Sequence, residues 1–192
     1  MSIRFWRYGG LALVLLASGA RAGPAPRHDP ALDHYLRQAM AERRSGFHSP
    51  IVARVWLRVM SRRLRPYVAN PRDRTRLLLA VHTAAVEAHV SPELVLSIIN
   101  VESDFHRFAV STTGAQGLMQ IMPFWLRQIG RPGDNLFQMQ TNLRIGCAIL
   151  YYYLHRAHGD YALALQNYYG QRDGTGYAHR VLTLLTDRWY WH

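Results

Sequence analysis

Lysine is absent from this chain of 192 residues, so all 23 of its basic residues are arginine. We attribute that to coding bias and read no binding code from it. Cysteine occurs once, as Cys147. One thiol closes no internal disulfide, so stability must come from a packed core, and a cysteine so far downstream excludes lipid attachment at a cleaved N-terminus. Lying within a helical pattern, Cys147 reads as a buried small hydrophobe. No apolar run approaches the roughly 20 residues that a permanent membrane helix requires, which argues against a stable membrane anchor. Strand-period alternation is nearly missing, and internal repeats and low-complexity tracts are not found. What remains is a globular composition at about one domain's length, and the fold class is all-α.

The one short apolar run, from Leu11 to Ala17, follows Arg4 and Arg7 and precedes the small-residue site Ala20-Arg21-Ala22. This is the pattern of a secretory signal peptide over 1–22, cut after Ala22, and it implies an exported, periplasmic protein. The full chain carries a net charge of +11. Losing Arg4, Arg7 and Arg21 with the signal leaves 20 basic against 12 acidic residues, or +8 from Gly23 onward. An acidic partner is expected. Nucleic acid would satisfy the charge, but an exported protein meets anionic wall polymer first, so no nucleic-acid partner is assigned. The sequence names no protein partner.

The segment from Gly23 to Pro30 has three prolines and reads as an extended leader. Leader and N-terminal helices occupy 23–70, and the main domain 71–192. From Ile51 to Leu64, Val52, Val55, Trp56, Val59, Met60 and Leu64 fall at helical spacing, with Arg54, Arg58, Arg62 and Arg65 on another face, which we read as solvated. Asn70-Pro71 with Asp73 opens a helix through Leu78, Val81 and Ala85, and Ser91-Pro92-Glu93 opens the next. Leu143 to Leu154 marks a long helix, Asp160 caps a short one to Tyr169, and Val181 to Trp189 predicts a last.

On the helix opened by Ser91, a step of about 100° per residue puts Val95, Ile98 and Ile99 within roughly 60° of Glu102. Glu93 and Asp104 project to the other side and read as solvated acids. A carboxylate in an apolar stripe costs free energy, and the usual relief is a raised pKa that keeps it protonated near neutrality. A general acid needs that property. Pairing with an arginine, or a stem reaching water at the helix end, would explain Glu102 equally well from the helix alone. The loop that follows, Ser111-Thr112-Thr113-Gly114-Ala115-Gln116-Gly117, has glycines where backbone can approach a ligand.

Read together, V-E-S-D-F running into A-V-S-T-T-G-A-Q-G-L-M-Q-I-M-P resembles the core signature of the soluble lytic transglycosylase (SLT) domain, which is related to goose-type lysozymes. The resemblance continues through N-L-R-I-G-C-A-I-L and G-D-Y-A-L-A-L-Q-N-Y-Y-G, and covers roughly Arg76 to Gly170. It implies a lysozyme-like helical domain with a glycan-binding groove, Glu102 as catalytic acid and base, and Ser103, Ser111, Gln120 and Met122 at substrate positions. In the last motif the family has alanine, tyrosine and asparagine, whereas this chain reads Gln166-Asn167-Tyr168-Tyr169-Gly170. One alignment gives Tyr168 the tyrosine role; a shift of two residues keeps Asn167 and puts Gln166 there instead.

The implied reaction is cleavage of the bond between N-acetylmuramic acid (MurNAc) and N-acetylglucosamine (GlcNAc) in peptidoglycan, with 1,6-anhydro-MurNAc ends and no cofactor. A lysozyme-like hydrolase, or a wall-binding protein without turnover, is the alternative. His82, His89, His106, His155, His158 and His179 show no metal-ligand spacing, so no metal is assigned. Tyr151-Tyr152-Tyr153 and Trp189-Tyr190-Trp191 are read as core packing, outside the site.

Overall fold

A computed structural model describes residues 49–170 and 174–191. Helices α1 (Pro50–Leu64), α2 (Pro71–Glu87) and α3 (Pro92–Ser103) lead into a long loop and the short α4 (Phe124–Ile129). Then come α5 (Met139–Arg156), α6 (Tyr161–Tyr169) and α7 (Gly174–Leu184), the last running into a π-helical turn, Leu185–Trp189. Among the described residues extended structure is limited to two isolated bridges, Val110 to Gln116 and Gln116 to Ile121. The class is all-α.

The helix starts follow their chemistry. Asn70, Ser91 and Asp160 each accept a backbone N–H of the first turn, from Arg72, Leu94 and Leu163, and proline occupies the first turn of α1, α2 and α3. α1 departs from the expected face. Ala53, Trp56, Leu57, Met60 and Leu64 enter the core, whereas Val52 and Val55 are exposed. Ala53, Leu57, Met60 and Leu64 form the stripe that packs inward, and Val52 and Val55, though at helical spacing too, lie off it. The last helix begins at Gly174, earlier than Val181, and Trp189 closes its π turn in the core.

α3 is the central element, packed by α2, α7 and the π turn. Leu94, Val95, Leu96, Ser97, Ile98, Ile99 and Asn100 are all buried, so the helix has no solvated side along this stretch. The reading of Glu93 as a solvated acid is therefore corrected. Its carboxylate accepts the Trp56 indole N–H at 2.7 Å and the Ser91 hydroxyl at 2.8 Å, which ties the start of α3 to α1. Asp104 is exposed, as expected.

α3 ends abruptly. Asp104 and Phe105 both take left-handed φ values, 46° and 66°, a conformation costly without glycine. Asn100 holds the turn by donating to Asp104 Oδ1 at 2.9 Å, while its own Oδ1 accepts the Trp189 indole N–H at 3.3 Å. Phe105 packs between the rings of Tyr67 and Trp189. These contacts fix the last turn of α3, and with it Glu102.

Candidate active site

Beside that last turn lies a cavity of about 720 Å³. Glu102 lines it, facing the loop residues Ser111, Thr112, Thr113, Ala115, Gln120, Ile121 and Met122. Phe124 and Trp125 of α4, Ile149 and Tyr153 of α5, and Asn167, Tyr168, Tyr169 and Gly170 at the end of α6 complete the described wall. Aromatic faces alternate with hydroxyl and amide groups, a lining suited to a polar ligand with apolar faces. Among the described lining residues Glu102 bears the only carboxylate.

The loop is shaped by its own backbone. Gln116 and Ile121 exchange two N–H to carbonyl bonds at 2.9 and 3.0 Å, so the segment between them turns back on itself. Gly117 sits at φ +77° against α5, where a Cβ would lie 2.6 Å from the Leu136 carbonyl oxygen. No other residue type fits there. Gln120 also has positive φ, 48°, and its amide donates to the carbonyls of Gly117 at 2.9 Å and Ala109 at 3.2 Å. Ser111 accepts the Ala115 N–H at 3.0 Å.

Two buried side chains hold this loop to the helices. Ser103 donates to the Leu118 carbonyl at 2.8 Å, and it is not among the cavity's lining residues. Asn142, in the first turn of α5, accepts the Met119 N–H at 2.8 Å and donates to the carbonyls of Gln116 at 2.9 Å and Leu136 at 3.0 Å. Sequence reasoning passed over Asn142, although a polar residue within a buried helical pattern is a signal for such a clamp.

Of the residues singled out from the sequence, Glu102, Ser111, Gln120, Met122 and Tyr168 meet at one cavity. The Tyr168 hydroxyl donates to the Met119 carbonyl at 3.0 Å, whereas Gln166 is absent from the described lining. Tyr153, read as core packing, packs against the core and also lines the cavity, whereas Tyr151 and Tyr152, given the same reading, are exposed. The partner of Glu102 is a residue that sequence reasoning missed. Tyr177 of α7 donates its hydroxyl to Glu102 Oε1 at 2.7 Å. The available signal was a tyrosine on a buried stripe with Ala178 and Val181, because a buried phenol needs a hydrogen-bond partner.

Burial raises the Glu102 carboxyl from 4.5 to about 7. The Tyr177 hydrogen bond and the Arg180 charge pull it down, but less strongly. The position of Glu102 in the last turn of α3 acts in the same direction as burial, since unpaired helix carbonyls disfavour an anion. Burial and then the neighbouring Glu102 hold Tyr168 and Tyr177 well above the ordinary phenol range. Cys147, buried behind them on α5, is pushed up to about 12 and stays a thiol. Among the described residues no helix is long and apolar enough to cross a membrane, and no group of three or more His, Cys, Asp or Glu could hold a metal ion.

The transglycosylase SLT domain family model matches residues 80–176. A transglycosylase of Enterobacteria phage PRD1 is 32% identical over 90 residues, covering 47% of this chain and 33% of the phage protein. Among solved structures, an inactive mutant of the lytic transglycosylase Slt from Pseudomonas aeruginosa aligns over 82% of this chain and 32% of its own, at 22% identity and TM-score 0.45. The 70 kDa soluble lytic transglycosylase of Escherichia coli aligns over 85% of this chain and 32% of its own, at 18% identity and TM-score 0.45. The chain thus spans about a third of the length of each of these relatives.

Proposed function

The chain belongs to the transglycosylase SLT domain family, and from that premise we propose that it is an exported peptidoglycan lytic transglycosylase with Glu102 as its single acid and base. The observation that carries this reading is a half-buried carboxyl, held near pKa 7, on the wall of a cavity whose described lining has no second carboxylate. Conventional glycosidases divide acid and nucleophile or base between two carboxyl groups. With one, the simplest chemistry lets the substrate supply its own nucleophile.

In the proposed reaction Glu102 gives its proton to the glycosidic oxygen, and the bond from that oxygen to C1 of MurNAc breaks, freeing the GlcNAc hydroxyl. The carboxylate then takes the proton of the MurNAc C6 hydroxyl as that oxygen closes onto C1. Glu102 ends protonated, as it began, and no water is consumed. The cavity's aromatic walls supply stacking faces for sugar rings, and Ser111, Gln120, Met122 and Tyr168 shape the substrate side. Ser103 supports the loop from behind. The carboxyl must begin protonated, so turnover is expected to decline as pH rises through about 7.

Mass analysis of fragments from purified peptidoglycan tests the reaction. MurNAc ends lighter by one water than hydrolytic ends, and resistant to borohydride, are expected. Reducible MurNAc ends alone would assign a hydrolase, and sedimentation with walls without any fragments would assign a binding protein.

A further inference from the structure

Among the described residues, one pair of aromatic rings lies face to face. Tyr169 and Tyr177 have centroids 4.6 Å apart and planes 10° from parallel, whereas the other pairs are tilted or edge-on. The two rings belong to different helices. Tyr169 ends α6 immediately before Gly170 turns the chain at φ 69°, and Tyr177 lies in the first turns of α7. Tyr169 lines the cavity and is half-buried, and Tyr177 lies behind it at 1% exposure.

A phenol oxygen lies on the ring's own axis, so spinning the ring leaves it in place, and only a swing of the whole ring moves it. A ring pressed flat against a neighbour resists tilting out of that plane, and stacked pairs contribute about 0.5–1.5 kcal/mol beyond the area they bury. We propose that Tyr169 is a positioning residue whose ring, stacked on Tyr177, holds the Tyr177 hydroxyl on Oε1 of Glu102 and leaves Oε2 as the oxygen that carries the acid proton. Glu102 Oε2 accepts no hydrogen bond among the described residues, consistent with that division. The importance for catalysis rests on the transglycosylase reading; the coupling of Tyr169 to Glu102 does not.

The ionisable groups bearing on Glu102 are Tyr177 and Arg180 from α7 and Tyr168 from α6, with Cys147 and Tyr153 of α5 acting on Tyr168. Tyr168, Tyr177 and Cys147 are all held far above neutrality. A titration near neutrality at this site therefore reports Glu102.

The chain has four glutamates, so carbon-13 labelling of their carboxyl groups gives few enough NMR signals to assign Glu102 by its loss in Glu102→Gln. Tyr177→Phe removes the bond that favours the anion, so the midpoint is expected to rise. Tyr169→Leu should raise it in the same direction by about half a pH unit or more, Tyr169→Phe should keep the native midpoint, and Tyr169→Leu should add nothing in a Tyr177→Phe background. Tyr169→Met provides the same comparison should the leucine variant not fold. An unmoved midpoint in Tyr169→Leu, or an equal shift with and without the Tyr177 hydroxyl, overturns the inference. On soluble glycan strands the leucine variant should lose kcat several-fold, and Tyr169→Phe should keep it. Because the NMR readout needs no turnover, a protein that titrates as described but releases no wall fragments sinks the transglycosylase reading and leaves the stack standing. Fragment release with unshifted Tyr169 variants does the reverse.

Discussion

Glu102 ionises against its surroundings, and that cost is measurable in the stability of the whole protein. Its carboxyl titrates near 7 when folded and near the ordinary 4.5 when unfolded. Between those values the native state binds the extra proton, so the residue's favourable contribution is full below pH 4.5 and is lost as pH rises through 7. The loss is on the order of 3 kcal/mol at most, and water reaching the half-buried group reduces it. Glu102→Gln removes the titration, so its melting temperature should decline less than the native protein's between pH 4.5 and 7; parallel curves would place the carboxyl at its ordinary pKa. The same variant, isosteric but unable to give up a proton, is expected to lower fragment release about 10²–10⁴-fold while wall binding persists. Tyr168 offers a second comparison. Its hydroxyl is bonded to the loop at Met119, whereas Gln166 is not among the described lining residues. Tyr168→Phe should therefore impair turnover more than Gln166→Leu, and the opposite order would favour the shifted alignment.

At the scale of elements, the loop from Ser111 to Met122 has little regular structure of its own and depends on what it is tied to. Asn142 satisfies three of its neighbours' backbone groups from within the core, at 1% exposure. Asn142→Ala strands those groups where water cannot replace the bonds, and each such loss costs about 1–3 kcal/mol. Chemical denaturation should show a destabilisation of about 2–4 kcal/mol, with turnover falling beyond what the unfolded fraction explains. A variant as stable and active as the native protein would mean that the loop is held by Ser103 and its own glycines. Asn142 was legible only as part of a helix in the sequence. Its partners lie up to 26 residues away, and spacing along one element carries no information about them.

For the whole molecule, the proposed export and the charge belong together. The run from Leu11 to Ala22 lies outside the described residues, so the cleavage site is a matter for mass spectrometry of the exported protein. The expected N-terminus is Gly23, and an exported chain still beginning at Met1 would remove the signal-peptide reading. Loss of three arginines still leaves +8 on the remaining chain, and a polymer with anionic stems is electrostatically suited to it.

Local chemistry wrote much of this architecture directly into the sequence. Asn70, Ser91 and Asp160 announced their helices because a cap bonds within its own first turn, and the apolar period around Glu102 exposed one acid out of place. Tertiary structure decided the rest. Val52 and Val55 stay exposed, Glu93 found Trp56 across 37 residues, and Tyr153 turned out on the cavity wall. Tyr177 reached Glu102 from 75 residues away. Helical periodicity states which residues share a face, but only packing states what that face meets, and the ionisation of Glu102 depends on what it meets.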